Sequence, residues 1–266
     1  MNIIGNNISP FADRPERVAM NLRSFFDKNP KVALAFSGGV DSSFLLYSAK
    51  RNKATVKAYF IKTQFQPHFE LENAKRIAKH LNADLRIIDA DILSYDDVIK
   101  NTEDRCYHCK RALFSIFIEE AKKDGFYTFI DGTNFTDVES ERPGMRALKE
   151  MSIMSPMREC DMTKNQIREL AKAVKLPTWN LPSYSCLATR IPTGTIITSE
   201  DLERTERSEN ILFKMGFNDF RVCCNGNSAL IKVKSEQMEK AKECLKDIET
   251  ALSDDYDSIS LDPTPR

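Results

Sequence analysis

Apolar residues recur at helical spacing at Val18, Leu22, Phe25 and Phe26, and an unbroken apolar run, KVALAF (31–36), follows them. The first pattern predicts a helix over 15–28, the second a strand buried on both faces. A helix begins at Asp41, and the pattern then alternates: strand 54–61, helix 68–81, strand 84–89, helix 106–124, strand 127–131. Such alternation predicts an α/β fold, a parallel sheet with helices on both faces. A further helix is expected over 163–175, with Thr163 as its N-cap and Pro177 just past its end.

Residues 176–198 carry three prolines and no period, and loops of that length inside compact units are functional or act as linkers. From Ser199 the pattern changes to helix 199–215, strand 220–224, a turn at Asn225-Gly226-Asn227, strand 229–233, helix 235–252 and strand 258–262. This predicts a small α+β unit built on a hairpin. The chain is therefore expected to divide into a nucleotide-binding domain over 1–195 and a smaller domain over 196–266, the latter supplying substrate and subunit contacts.

Composition adds exclusions. Hydrophobic residues at 41% and charged residues at 29% are those of an ordinary globular protein. No run approaches the roughly 20 apolar residues of a membrane span. The N-terminus MNIIGNNISPFADRPER lacks the basic start and apolar centre of a signal peptide, so a cytoplasmic location without a membrane partner is expected. Thirty-nine Lys and Arg balance thirty-nine Asp and Glu, and nucleic acid is not an expected partner of a chain with no net charge.

SGGVDSS (37–43) joins the first apolar strand to a helix, where an open α/β sheet carries a phosphate-binding turn. Gly38 and Gly39 can take positive φ and approach an anion closely, and Ser37 and Ser42 bring hydroxyls to the free N–H groups of the helix start. Asp41 would repel phosphate unless Mg²⁺ lies between them, so it is read as a metal-mediated contact, with an N-cap as the alternative. IDGTNFTD (130–137) follows a later strand and offers Asp131, Thr133, Asn134 and Asp137 as a second ligand-binding set. On SGGVDSS the chain resembles the PP-loop ATP pyrophosphatase superfamily. The motif lacks the Lys of the Walker sequence, and the resemblance implies ATP split to AMP and pyrophosphate.

The seven cysteines are not a disulfide framework in a reducing compartment. Cys160, Cys223, Cys224 and Cys244 are scattered and read as packing residues. DRCYHCK (104–110) spaces Cys106 and Cys109 so that two thiolates could bind one metal or cluster, at a helix start that favours thiolates. A redox pair and structural zinc are the competing readings. With Cys186 as third ligand, a [4Fe–4S] cluster would keep one iron free of protein ligands, open to an exogenous, transferable sulfide.

PSYSCLATRIPTGT (182–195), with ERPG (141–144), SPMREC (155–160) and TKNQIREL (163–170), resembles the LarE family, sulfur transferases of nickel-pincer cofactor synthesis, over about residues 15–262. Cys106, Cys109 and Cys186 match the cluster-binding pattern of that family rather than its sacrificial-cysteine pattern. The resemblance implies ATP-dependent adenylylation of a carboxylate on a pyridinium dicarboxylate mononucleotide, followed by sulfur attack to give a thiocarboxylate. It implies Thr189 and Arg190 as phosphate contacts, and Glu209 and Arg221 beside Cys186 at the sulfur site. Other nickel-pincer synthesis proteins and further copies of the chain are the implied partners. Where the family continues RVR, this chain reads Arg221-Val222-Cys223, and Lys232 occupies its later Glu position. The alternatives are a tRNA thiolase, a nucleotide sensor that turns nothing over, and an amidating synthetase.

Overall fold

The computed structural model describes residues 15–137 and 143–266. The first fourteen residues, most of the N-terminal segment that was expected not to be a signal peptide, lie outside that range, as do Glu141 and Arg142 of ERPG. Helix α1 (Pro15–Lys28) leads into β1 (Lys31–Ala35), α2 (Val40–Arg51), β2 (Thr55–Lys62), α3 (His68–His80) and β3 (Asp84–Asp89). After a 3-10 turn come α4 (Asp96–Ile99), α5 (Arg105–Lys123) and β4 (Phe129–Ile130), then α6 (Gly144–Glu150), α7 (Pro156–Glu159) and α8 (Lys164–Ala173).

The four strands form one parallel sheet in the order β3-β2-β1-β4. Successive side chains of β1 point to opposite faces. Val32 and Leu34 enter a core shared with Phe26, Leu45, Ile77 and Ile167, whereas Ala33 enters another with Tyr59, Phe117 and Leu148. Helices therefore cover both faces, as the unbroken apolar run of β1 requires. β4 is shorter than expected because its backbone turns to a different neighbour: Met154 donates to Phe129 O (2.9 Å) and Asp131 to Met154 O (3.0 Å).

Beyond a 3-10 turn at Leu187–Arg190, α9 (Ser199–Lys214) precedes β5 (Arg221–Asn225), β6 (Ser228–Lys232), α10 (Met238–Glu243), α11 (Leu245–Leu252) and β7 (Ser258–Leu261). β5 and β6 pair antiparallel, and β7 joins β6 in parallel. The single helix expected over 235–252 is divided at Cys244, so that Met238 and Ala241 before the break and Ile248 and Leu252 after it all reach one core with Val222 and Ile231. α9 serves two cores, since Leu212 packs in this one while Leu202 packs with Phe65, Leu187 and Ile191. Among the described residues no helix is long and apolar enough to cross a membrane.

Candidate functional site

β1 has β2 on one side and β4 on the other, so the C-terminal ends of β1 and β4 flank a topological switch point, where open α/β sheets bind ligands. SGGVDSS leaves β1 at this point. Gly38 has φ +76, and a Cβ there would lie 2.8 Å from the backbone N of Ala74 on α3, so only glycine fits. Gly39 departs from expectation: it is the extended N-cap of α2 at φ −74, so the left-handed conformation belongs to Gly38 alone. The serine hydroxyls brace the loop. Ser37 Oγ lies 3.1 Å from Ser42 Oγ and accepts from Gly39 N (3.3 Å), and Ser42 Oγ donates to Gly39 O (3.3 Å).

Asp41 lies inside the first turn of α2 and makes no capping bond, which removes the N-cap alternative. Its Oδ2 accepts from Lys164 Nζ at the start of α8, while its Oδ1 is buried without a hydrogen-bond partner. Burial raises its pKa in spite of Lys164. A buried, orphaned carboxylate oxygen facing a phosphate loop suits Mg²⁺, which takes one or two carboxylates and completes its shell with phosphate and water.

The second loop rides on the first. A Cβ at Gly132 would come within 2.9 Å of Ser42 N. Asp131 is buried and accepts from Thr133 N (3.2 Å), Thr133 Oγ1 (2.5 Å) and Ser155 Oγ (2.7 Å). Asn134 Oδ1 accepts from Thr136 N (2.9 Å), and Asp137 Oδ2 from Asn134 N (3.0 Å). These side chains fasten the loop that frames the crevice.

Cys106 and Cys109 share one face of the first turns of α5, and Cys186 precedes the 3-10 turn. Cys109 and Cys186 pack against one apolar cluster with Phe65, Ile92 and Leu187. Arg105, 8% exposed, ties the two segments together, donating to Ala188 O (2.6 Å), Asn101 Oδ1 (3.0 Å) and Cys106 Sγ (3.3 Å). The expectation that the helix start would favour thiolates is not met at Cys109. Burial, with the nearby Cys186 and Cys106 sulfurs, pushes its thiol up to about 12, and burial also raises Cys186 against the pull of Arg105. The donor chemistry suits an iron–sulfur cluster, whose positive irons would offset that burial cost. As placed, however, no three Cys, His, Asp or Glu side chains among the described residues form a ready metal site.

Thr189 and Arg190 hold the Cys186 turn itself. Thr189 Oγ1 donates to Cys186 O (2.8 Å), and Arg190 Nη1 donates to Ser185 Oγ (2.6 Å) and Thr189 Oγ1 (2.7 Å). Glu209, on α9, receives Arg190 Nε (2.8 Å) and Nη2 (3.2 Å), Val222 N (3.1 Å) and the Tyr184 hydroxyl. Arg190 and Glu209 are each 2% exposed, so their atoms face protein partners. Arg221 differs: it is half-buried, with no carboxylate partner among the described residues, and burial and the nearby Arg266 and Arg190 lower its pKa. It lines a narrow cleft with Tyr184, Ser185, Arg190 and Arg266.

Sequence reasoning passed over Lys164 and Glu70. Glu70 and Ala74 lie one turn apart on one face of α3. Ala74 meets Gly38, and Phe69, next to Glu70, packs edge-on against Tyr184 with ring centroids 4.9 Å apart, so α3 brings the nucleotide loop and the cysteine turn to neighbouring positions. Burial lifts Glu70 to about 7, against Arg190. In the sequence it reads as one more polar residue of an amphipathic helix. Its one signal was its place in the first turn after a central strand.

A family model described as asparagine synthase matches residues 18–132. The sheet and its covering helices over that stretch are a PP-loop, adenine nucleotide α-hydrolase-like fold. The chain is 33% identical over 224 residues to uncharacterized protein slr1717 of Synechocystis sp., covering 83% of this chain and 82% of that protein. It is 35% identical over 217 residues to uncharacterized protein MJ0830 of Methanocaldococcus jannaschii, covering 81% and 82%. To the pyridinium-3,5-bisthiocarboxylic acid mononucleotide synthase of Lactiplantibacillus plantarum it is 29% identical over 205 residues, 76% of this chain and 74% of that enzyme.

Proposed function

Starting from a chain that belongs to the family of slr1717 and MJ0830 and has the PP-loop fold, we propose an ATP-dependent sulfur transferase. Its acceptor is a carboxylate on a small nucleotide of the pyridinium dicarboxylate mononucleotide kind. The carrying observation is the placement of a phosphate-type loop and a cysteine turn against one helix: Gly38 meets Ala74, and the Phe69 ring, earlier on the same helix, packs edge-on against Tyr184, two residues before Cys186, with centroids 4.9 Å apart. Similarity to the Lactiplantibacillus enzyme, whose name records sulfur in a pyridinium mononucleotide, supports the same reading.

In the reaction, a carboxylate oxygen attacks the α-phosphorus of ATP and pyrophosphate leaves. A sulfur nucleophile then attacks the acyl-adenylate and AMP leaves, so that sulfur replaces oxygen. A carboxylate needs this activation because it is a poor electrophile. The backbone around Gly38 and Gly39, with Ser37 and Ser42, cradles the phosphates at the α2 N-terminus. Asp41 would hold Mg²⁺, which screens the phosphate charge, and Lys164 is released from Asp41 to meet that charge. Cys106, Cys109 and Cys186 would hold a [4Fe–4S] cluster, whose iron without a protein ligand supplies transferable sulfide. Arg105, Thr189 and the Arg190–Glu209 pair position these cysteines, and Arg221, which has no carboxylate partner among the described residues, binds an anionic group of the acceptor. The protein acts in the cytoplasm, beside the enzymes that make and consume its nucleotide, and as a homo-oligomer whose 196–266 domain supplies contacts.

The test is to quantify products after anaerobic incubation with ATP, Mg²⁺ and the pyridinium dicarboxylate mononucleotide. AMP and pyrophosphate formed in equal amounts, dependent on the acceptor, are expected. ADP and phosphate, or tRNA as the required acceptor, would overturn the proposal.

A further inference from the structure

The segment that carries Cys186 runs on to Thr195, and its later part lies along the short connection between α4 and α5. Ile197 donates its N–H to Ile99 O (2.8 Å), and Gly194 donates its N–H to Asn101 O (2.8 Å). Arg105, the first residue of α5, reaches Ala188 O through Nη1 (2.6 Å). Cys106 and Cys109 follow at once on α5. A segment just ahead of the cysteine pair is thus laced to a segment just behind Cys186, across more than eighty residues of sequence.

Asn101 is the centre of that lacing, and it is buried. Its Nδ2 donates to Ile191 O (3.2 Å) and Pro192 O (2.8 Å), and its Oδ1 accepts from Arg105 Nη1 (3.0 Å). A carboxamide has two donor hydrogens and one acceptor oxygen, and each faces its complement here. The flipped amide would set oxygen against two carbonyls and nitrogen against a guanidinium. Asn101 also holds φ +51, a left-handed conformation in which asparagine is enriched over other residues with a side chain. Backbone and side chain therefore ask for the same residue. Aspartate would turn an oxygen toward Ile191 O and Pro192 O. Glycine would keep the turn and lose every side-chain bond, leaving buried carbonyls without donors.

We infer that Asn101 is a positioning residue for the sulfur site, a clip that fastens the Cys186 turn to the start of α5 and so sets Cys186 against Cys106 and Cys109. That the three cysteines act together rests on the proposed function; the clip rests on its hydrogen bonds. Asn101 works through Arg105, which donates to Cys106 Sγ (3.3 Å), and through the backbone that follows Cys186. Cys109 and Cys186 pack against one apolar cluster with Leu187, Ile191 and Ile197. Loosening the clip parts these two thiols, whereas Cys106 and Cys109, three residues apart on one helix, keep their spacing.

The experiment is thiol cross-linking of the full chain, without added iron, by dibromobimane, which joins two neighbouring thiols. Mass spectrometry assigns the linked peptides. The Cys106–Cys109 link within α5 is the internal standard, and the quantity read is the ratio of Cys109–Cys186 links to it. Wild type is expected to give both links. Asn101→Asp and Asn101→Gly should each lower the ratio about tenfold, in keeping with the loss of buried hydrogen bonds. A residue that only added stability would lower the melting temperature and leave the ratio in the folded protein unmoved. Circular dichroism melts identify any variant that fails to fold, and the wild-type pattern stands without any variant. No Cys109–Cys186 link in the wild type, or an unmoved ratio in folded Asn101→Asp or Asn101→Gly, would overturn the clip. Iron and sulfide uptake by the same proteins separates the two claims. A ratio that falls in the variants while wild type binds no iron would keep the clip and sink the cluster. Iron bound by wild type, with the ratio unmoved in the variants, would do the reverse.

Discussion

Glu209 receives both Nε (2.8 Å) and Nη2 (3.2 Å) of Arg190 in a position sealed from solvent. The pair joins α9 to the turn that carries Cys186. Removing one partner of a buried, hydrogen-bonded ion pair leaves the other charge uncompensated, at a cost of about 3 to 5 kcal/mol. Glu209→Ala should lower unfolding stability by that amount in urea denaturation, and Glu209→Gln by less. A loss below about 1 kcal/mol, the worth of a surface pair, would show that the pair does not hold the turn.

Gly38→Ala should fail where Gly39→Ala succeeds. The first forces an L-residue into positive φ and drives a Cβ to 2.8 Å from the Ala74 backbone, whereas the second meets only Ser37 Oγ at 3.4 Å in an extended conformation. The left-handed conformation alone costs about 1 to 2 kcal/mol. ATP binding by equilibrium dialysis should be lost in Gly38→Ala and retained in Gly39→Ala. Equal loss in both would place the constraint elsewhere.

Glu70 gives a pH signature. Burial raises its carboxyl from the ordinary 4.5 to about 7, so the folded state binds its proton more tightly than the unfolded state does. Stability from this group is full below pH 4.5 and falls as pH rises to about 7. Glu70→Gln cannot ionise and escapes that loss. It should match the wild type at pH 4 and exceed it at pH 8 by up to about 3 kcal/mol. A constant difference across that range would mean that Glu70 ionises freely.

Anaerobic reconstitution with iron and sulfide should yield about four of each per chain, as a [4Fe–4S] centre requires. Cys106→Ala and Cys186→Ala should lower both contents, whereas Cys244→Ala should leave them unchanged. Zinc binding, or iron retained in Cys106→Ala, would contradict the assignment of these ligands.

The parallel sheet was legible because VALAF (32–36) is an unbroken apolar run and the strand-like segments after it alternate with segments of helical period. The loop at 37–43 was legible because its glycines and hydroxyls mark it between a strand and a helix. α4, α6 and α7 were missed because four to seven residues hold too little of a helical period to register. Lys164 and Glu70 were missed for another reason. Each sits among other charged residues on an amphipathic helix, and only folding brings Lys164 to Asp41, 123 residues away in sequence, or Glu70 to the Cys186 turn. Arg190 adds a third case, since only folding brings it to Glu209 on α9.

The most direct test of the central claim is mass spectrometry of the acceptor after anaerobic incubation of the cluster-loaded protein with ATP, Mg²⁺ and the pyridinium dicarboxylate mononucleotide. Exchange of one carboxylate oxygen for sulfur, dependent on ATP and lost in Cys186→Ala while pyrophosphate release continues, is the expected result. Sulfur transfer at the wild-type rate in Cys186→Ala, or an acceptor that returns unchanged while AMP accumulates, would contradict it.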